Sequence, residues 1–234
     1  MLTFDNHIVG NSYPGRGIIV GCSPDGSEVW QFYWIMGRSP NSRNRIFVVD
    51  DGVLLTEAAD PAKCEDPSLV IYKAMLEDDK NFIVSNGDQT QTVYDFLQKG
   101  EGFDSALLTR EREPDSPNFT PRISAMVNFE NKASFSFSII KANEANQDLS
   151  NHNFFYKNEI KPGEGYCLTT YLHDGNPIPS FSSEPFAISL LPEKEEMLNK
   201  IWNTLDNDNK ISIAVKSINC QSLKSDISII NKYS

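Results

Sequence analysis

Apolar and aromatic runs separated by turn residues recur along this chain and predict a protein rich in strands. The run at 29–36 is apolar at both alternating sets of positions, as expected for a strand buried on both faces. The segment 133–139 instead alternates apolar and polar residues, and the turn residues before it predict pairing with a strand at 123–127. Further strands are predicted at 45–50, 69–75, 81–85, 166–171 and 211–215.

Three helices are predicted between the strands. Thr90 is a suitable N-cap for a helix that runs to Lys99, because Gly100 follows at the usual C-terminal position. A shorter helix is predicted at 104–110. The third helix begins at Pro192, which suits a first helical position, and its first turn is acidic. In the two longer helices, apolar residues recur at helical spacing and form one face.

No internal repeat or flexible linker divides the sequence, so we predict a single domain of α+β class over residues 1–234. The polar segment 143–153 is predicted to be an exposed loop. The tail after Cys220 is predicted either to form a last strand or to fray.

Composition narrows the classes of function. The formal net charge is −11, which argues against a nucleic-acid polymer as partner. No apolar stretch approaches the roughly 20 residues of a membrane span, and the opening residues lack a signal-peptide pattern. The scattered cysteines and histidines show no metal-ligand spacing. We therefore expect a cytoplasmic protein that uses neither a metal nor a cofactor.

Against this acidic background, two short segments place arginines beside turn residues. One is 37–45, which contains Arg38 and Arg45, and the other is 118–123, which contains Arg122. A basic loop can be merely solvated, but predicted strands flank 37–45 and hold its backbone. A guanidinium group donates two parallel hydrogen bonds to a phosphate or carboxylate. The two segments therefore predict a site for a small anion.

Two further segments carry candidate chemistry. Residues 84–90 are predicted as a strand end, an Asn-Gly turn and a helix start, so the turn is either structural or presents amide donors to an anion. The charge run 110–115 is either a solvated face or the source of a carboxylate beside Arg122. The glycine patterns of dinucleotide and P-loop sites are lacking, as is a Gly-x-Ser-x-Gly elbow. No Ser, Thr or Cys follows Met1 as a processed nucleophile.

Taken in order along the chain, these segments resemble the archaeal-type IMP cyclohydrolase family. The matching elements cover about residues 15–190 and comprise 37–39, Asn44 with Arg45, the Tyr72 strand, 84–87, Glu113, 118–123 and 169–171. The resemblance implies the four-layer α-β-β-α architecture of N-terminal-nucleophile hydrolases, without their processed nucleophile. Residues 192–234 would then form a C-terminal extension of helix and strand.

The resemblance also implies an activity, the ring closure of 5-formamidoimidazole-4-carboxamide ribonucleotide to inosine monophosphate with loss of water, in purine synthesis. It implies Tyr72 and Glu113 as the catalytic pair. By the same resemblance, the residues that bind this purine ribonucleotide are Arg38, Asn44, Arg45, Ser85, Asn86, Gly87 and Arg122.

Some alternatives stay open at this level. The chain departs from the family pattern at Lys73 and Ala74, and Glu111 is an alternative to Glu113. A nucleotide-binding module without turnover, or an amide hydrolase of the same fold, is an alternative function. We also expect a homo-oligomer.

Overall fold

The computed structural model describes residues 2–64 and 71–233, and its strands form two antiparallel sheets. In chain order the strands are β1 (Gly17–Cys22), β2 (Glu28–Met36), β3 (Ile46–Asp50), β4 (Val53–Glu57), β5 (Lys73–Glu77), β6 (Asn81–Ser85), β7 (Arg122–Asn128), β8 (Ser134–Ala142), β9 (Ser150–Lys157), β10 (Glu164–Thr169), β11 (Phe186–Ser189), β12 (Lys210–Asn219) and β13 (Ser225–Asn231). The first sheet has the order β11-β10-β1-β2-β12-β13, and the second has the order β3-β4-β5-β6-β7-β8-β9.

Short helices connect and cover the sheets. They are α1 (Phe4–His7), α2 (Pro40–Arg43), α3 (Gln89–Leu97), α4 (Phe103–Leu107) and α5 (Lys194–Thr204), with a 3-10 turn at Pro61–Lys63. Helix α3 packs on β5 and β6 and against α4, whereas α5 packs on β12. Across the described ranges, every helix is too short or too polar to cross a membrane.

The main apolar cluster joins the two sheets and draws on the aromatic run of β2. Phe32, Tyr33 and Trp34 are completely buried, as the doubly apolar pattern predicts. The rings of Tyr33 in one sheet and Phe47 in the other lie 5.4 Å apart. A second, smaller cluster lies beneath α3 and α4 and includes Ile83. The predicted α+β class is confirmed, with two large antiparallel sheets and few helices.

The register of the first sheet brings several connections to one end. Gly17 at the start of β1 pairs with Trp34 near the end of β2 and with Thr169 at the end of β10. The segment before β1 and the segments after β2 and β10 therefore meet at the same edge. A cavity described below opens there.

Most predicted strands are confirmed, and β6 has the predicted bounds. Strand β5 begins at Lys73, so the prediction at 69–75 holds only from residue 73, and residues 69 and 70 lie outside the described residues. Strand β10 ends at Thr169 rather than at 171. The next two amides leave the sheet because Thr170 N–H bonds to Arg16 O and Tyr171 N–H bonds to Pro14 O.

The helix boundaries need correction. Helix α5 does not begin at Pro192, because Glu193 occupies an extended N-cap position and the helix starts at Lys194. Thr90 is not the cap of α3, because it already lies in the first turn and donates its hydroxyl to Gly87 O at 2.9 Å. Helices α3 and α4 end earlier than predicted, at residues 97 and 107.

The predicted exposed loop at 143–153 is wrong over its last four residues, 150–153, which begin β9. Polar side chains are tolerated there because the strand lies at the edge of its sheet and remains half exposed. Backbone pairing with β8, for example of His152 with Ile140, defines the strand. In the tail, β13 confirms the first of the two predicted alternatives.

Candidate functional site

A cavity of about 220 Å³ opens where β1 begins and β2 ends, and we call it the arginine cavity. Three guanidinium groups line it, those of Arg16, Arg38 and Arg45. The other lining residues with polar side chains are Tyr13, Ser39, Ser42, Asp115, Asn118, Thr120, Thr170 and Tyr171. Among the described lining residues Asp115 is the one carboxylate, so the cavity carries an excess of positive charge within an acidic chain.

Arg45 is completely buried at the end of the turn that follows β2. Its Nε donates to Ser42 O at 2.8 Å, and its Nη2 donates to Met36 O at 3.1 Å. Its Nη1 is buried and finds no acceptor among the described residues. Burial lowers the pKa of Arg45, and the nearby Arg16 lowers it further. Two carbonyl groups thus fix the guanidinium and leave one nitrogen for a ligand.

Arg16 is not among the site residues predicted from the sequence. Its Nε is buried and has no acceptor in the described part of the chain. Burial acts to lower the pKa of Arg16, but four nearby phenol groups outweigh burial and raise this pKa. They are those of Tyr72, Tyr33, Tyr171 and Tyr13. The neighbouring Gly15 has a φ of +73°, and a Cβ atom there would come within 2.1 Å of Thr170 Oγ1, but this constraint is visible only in the folded structure.

Arg16 and Arg45 share an unusual environment for charged groups. Neither forms an ion pair with a carboxylate in the described ranges, whereas buried charges in proteins are normally paired. Arg38 differs, because it binds the Asp174 carboxylate and donates to Gly175 O at 3.0 Å. The two inner guanidinium groups are therefore the ones left to be neutralised by an anion.

Tyr72 lies immediately before β5 and is 7% exposed. Its hydroxyl lies 2.6 Å from that of Tyr33, and its backbone N–H donates to Thr56 Oγ1 at 2.9 Å. Its phenol also interacts electrostatically with Arg16 and Arg45. Tyr72 is thus close to the inner guanidinium groups, although it does not line the cavity.

Glu113 and Arg122 form a buried ion pair. Arg122 Nη1 lies 2.8 Å from Glu113 Oε1, and Nη2 lies 3.1 Å from Oε2. Burial raises the pKa of Glu113, while Arg122 and Arg16 act to lower it. Arg122 also donates to Asp88 at 2.7 Å and to Gln89 at 2.8 Å. The donors of Arg122 are therefore occupied by groups of the protein itself.

The remaining predicted site residues lie outside the cavity lining. Gly87 lies against the ion pair, since a Cβ atom there would come within 3.0 Å of Arg122 Nη1. The other three side chains are bonded to the protein: Ser85 to Ser124, Asn86 to Pro121, Ile123 and Gln89, and Asn44 to Asp60. These bonds anchor the loops around the site.

The structure thus brings Arg38 and Arg45 into one cavity and places Tyr72 and Glu113 within the electrostatic reach of Arg16. Among the lining residues that the sequence did not predict as site residues are Arg16, Asp115, Thr120 and Tyr171, although Thr120 and Tyr171 lie in segments that carry the family resemblance. The last of them closes the predicted strand at 166–171, but nothing in a strand pattern indicates that a tyrosine faces a cavity.

Comparison with known proteins identifies the family of this chain. A family model described as "IMP cyclohydrolase-like protein" matches residues 13–222. The chain is 28% identical over 163 residues to an IMP cyclohydrolase of Methanopyrus kandleri, an alignment that covers 68% of this chain and 75% of that protein. It is 27% identical over 168 residues to an IMP cyclohydrolase of Methanothrix thermoacetophila, covering 70% of this chain and 76% of that protein.

Proposed function

The chain belongs to the IMP cyclohydrolase-like protein family, and from this premise we propose that it converts 5-formamidoimidazole-4-carboxamide ribonucleotide to inosine monophosphate and water. The observation that carries the proposal is the pair of inner guanidinium groups, Arg16 and Arg45. Each has a buried nitrogen without an acceptor among the described residues, and both line one cavity. A ribonucleotide supplies negative charge to Arg45 through its phosphate and to Arg16 through the oxygen on which charge develops during the reaction.

Arg45 and Arg38 are the groups we assign to phosphate binding. A charge-assisted hydrogen bond from a guanidinium group contributes roughly 1.5–3 kcal/mol. Arg38 stands partly exposed at the ion pair with Asp174, from which it can turn to an incoming phosphate. Arg122 is assigned a different task, because its donors already bind Glu113 and Asp88.

The proposed reaction joins two substituents of one molecule. The carboxamide nitrogen attacks the formyl carbon, a new N–C bond forms, and the formyl oxygen leaves as water after taking up two protons. One proton comes from the carboxamide nitrogen, which keeps its second hydrogen. The other is balanced by the proton that the formamido nitrogen loses when dehydration forms the C=N bond of the new ring. Holding both substituents in contact lowers the entropic part of the barrier.

Tyr72 and Glu113 are the groups we assign to proton transfer. Burial raises the pKa of Glu113 and so makes its carboxylate a better acceptor for the proton of nitrogen. The phenol of Tyr72 would donate a proton to the departing oxygen. Arg16 interacts with both groups and is suited to stabilise negative charge on that oxygen.

The remaining features of this proposal follow the family. The packing of α3 on one sheet and of α5 on the other supports a four-layer α-β-β-α sandwich of the N-terminal-nucleophile type. A homo-oligomer, a cytoplasmic location, the single domain over 1–234 with its extension at 192–234, and a role in purine synthesis stay predictions.

The deciding experiment is incubation of the purified protein with the formamido ribonucleotide, with inosine monophosphate measured by chromatography. We expect formation well above the spontaneous rate, and loss of that excess in an Arg16→Met variant. Binding of inosine monophosphate without turnover would instead indicate a nucleotide-binding module. The absence of both nucleotide binding and turnover would refute the proposal.

A further inference from the structure

A chain of hydrogen bonds leads from Asp115 through Thr120 to Tyr171 on the wall of the arginine cavity. The Thr120 hydroxyl donates to Asp115 Oδ2, and the Thr120 backbone N–H donates to Asp115 Oδ1 at 2.6 Å. Thr120 Oγ1 and the Tyr171 hydroxyl lie 2.6 Å apart. All three residues line the cavity.

The number of available protons determines which group donates and which accepts in each of these hydrogen bonds. A threonine hydroxyl has one proton, and a carboxylate can only accept. Because Thr120 gives its proton to Asp115, its oxygen must accept from Tyr171. The Tyr171 proton is then committed to Thr120, and the phenol oxygen has only lone pairs to offer a ligand.

Tyr171 is also kept neutral and in place. Burial raises the pKa of its phenol to about 12, although the hydrogen bond with Thr120 and the charge of Arg16 act in the opposite direction. Its ring stacks on Tyr13 with the centroids 5.8 Å apart. The group is therefore an oriented neutral acceptor at neutral pH rather than a phenolate base.

We propose that Asp115 and Thr120 orient Tyr171 as a hydrogen-bond acceptor that selects purine ligands with an N–H at the nitrogen of the closing ring. The inference rests on the proposed function, in which this nitrogen is the carboxamide nitrogen of the substrate and becomes N1–H of inosine monophosphate. Accepting a hydrogen bond from that N–H holds the nucleophile in the cavity. Tyr171 contacts the ligand, whereas Asp115 and Thr120 are positioning residues.

The same geometry disfavours ligands that carry a hydrogen-bond acceptor, rather than an N–H, at this nitrogen. Adenosine monophosphate has the same ribose phosphate but bears a lone pair at N1, which would face the lone pairs of Tyr171. A site that leaves two acceptors facing each other loses affinity for the wrong ligand by about tenfold or more. Since the phosphate contribution is common to both nucleotides, the ratio of their affinities reports on the base contact.

The test compares the affinities of inosine and adenosine monophosphates by calorimetry. In the wild-type protein we expect a preference for inosine monophosphate of about tenfold or more. An Asp115→Asn variant can donate its amide N–H to Thr120 Oγ1, which frees the Thr120 proton for Tyr171 and turns the Tyr171 proton toward the ligand. The preference should then vanish or reverse.

Two further variants complete the design. Tyr171→Phe should reduce the preference to about twofold or less, because a phenyl ring neither donates nor accepts. Thr109→Val is the matched control, since the Thr109 hydroxyl donates to Ala106 O in α4, away from the cavity. It should keep the wild-type ratio.

The outcomes separate this inference from the proposed function. If the wild-type protein forms inosine monophosphate but Asp115→Asn keeps the wild-type ratio with an unchanged melting temperature, only the inference is overturned. If the wild-type protein binds neither nucleotide, both are overturned. If Asp115→Asn fails to fold, Thr120→Val replaces it, because removing the Thr120 hydroxyl also frees the Tyr171 proton. An unchanged affinity ratio in Thr120→Val would equally overturn the inference.

Discussion

The Arg122 guanidinium binds the Glu113 carboxylate through both terminal nitrogens, at 2.8 Å and 3.1 Å. Its Nε donates at the same time to the backbone oxygen of Glu111 at 2.7 Å. The Glu111 side chain is exposed, whereas Glu113 is buried. One arginine therefore fixes the backbone of this segment and holds only the second of its two carboxylates inside the protein.

Replacement of Glu113 should reveal whether this buried carboxylate transfers a proton. We expect Glu113→Gln to lower kcat by about a hundredfold or more, the usual contribution of a general base. Glu111→Gln is the matched control and should leave kcat within about twofold, because only its backbone contacts Arg122. Equal and mild effects on kcat in steady-state kinetics would indicate that both residues have a structural rather than a catalytic role.

Tyr72→Phe tests the second proposed catalytic group. The phenol is buried and bonded to Tyr33, so its removal should cost about 1 kcal/mol of stability and lower kcat by about a hundredfold. Tyr33→Phe breaks the same hydrogen bond and should cost similar stability with a much smaller loss of kcat. Unfolding curves and initial rates of both variants separate the two effects. A stability loss above about 2 kcal/mol for Tyr72→Phe would identify a core residue.

Strands in the interior of the sheets could be predicted from the sequence because burial on both faces leaves a continuous apolar run. This holds for β2, which is buried along nearly its whole length, and for β6. Strand β9 could not be found in this way. Its polar first half becomes a strand through pairing with β8, a partner chosen by the fold rather than by local pattern.

The residues of the candidate site likewise divide into those that the sequence predicts and those that only the fold reveals. Arg45 could be predicted because it stands among turn residues beside an apolar strand. Arg16 is one arginine between glycines, and nothing in its neighbourhood marks it as functional. Its environment comes from segments far apart in the chain, including Tyr72 and Tyr171. Recognition of Arg16 therefore requires the folded structure.

The arginines should differ in what they contribute to affinity. Arg45→Lys keeps the charge but loses the planar donor group, so the affinity for inosine monophosphate should fall about tenfold, or about 1.4 kcal/mol. Affinity for inosine, which lacks the phosphate, should barely change. Arg122→Lys provides the comparison, since its guanidinium binds Glu113 and Asp88, and it should not alter the ratio of nucleotide to nucleoside affinity. Calorimetric titrations that show equal losses for both ligands in Arg45→Lys would contradict a phosphate contact.

His7 should make the stability of the protein dependent on pH below neutrality. The side chain is buried beside Phe181 and Phe186, and its Nε2 lies 2.8 Å from Thr169 Oγ1. Burial, together with the charge of His173, lowers the pKa of His7 from 6.5 to about 4. Between these two pH values the unfolded chain binds a proton that the folded protein does not bind. Stability is therefore fully present above pH 6.5 and decreases as the pH falls toward 4.

The expected loss over this pH range is about 2 kcal/mol, because solvent screening near the surface reduces the full linkage energy. His7→Gln is the control, since its amide can donate to Thr169 Oγ1 and does not titrate. Urea unfolding of both proteins at several pH values between 7 and 4 measures the difference directly, because carboxylates common to both cancel. The unfolding free energy of the wild type minus that of the variant should decrease steadily as the pH falls. If the two stability curves stay parallel, His7 is protonated equally in the folded and unfolded states, and its burial has no effect on acid stability.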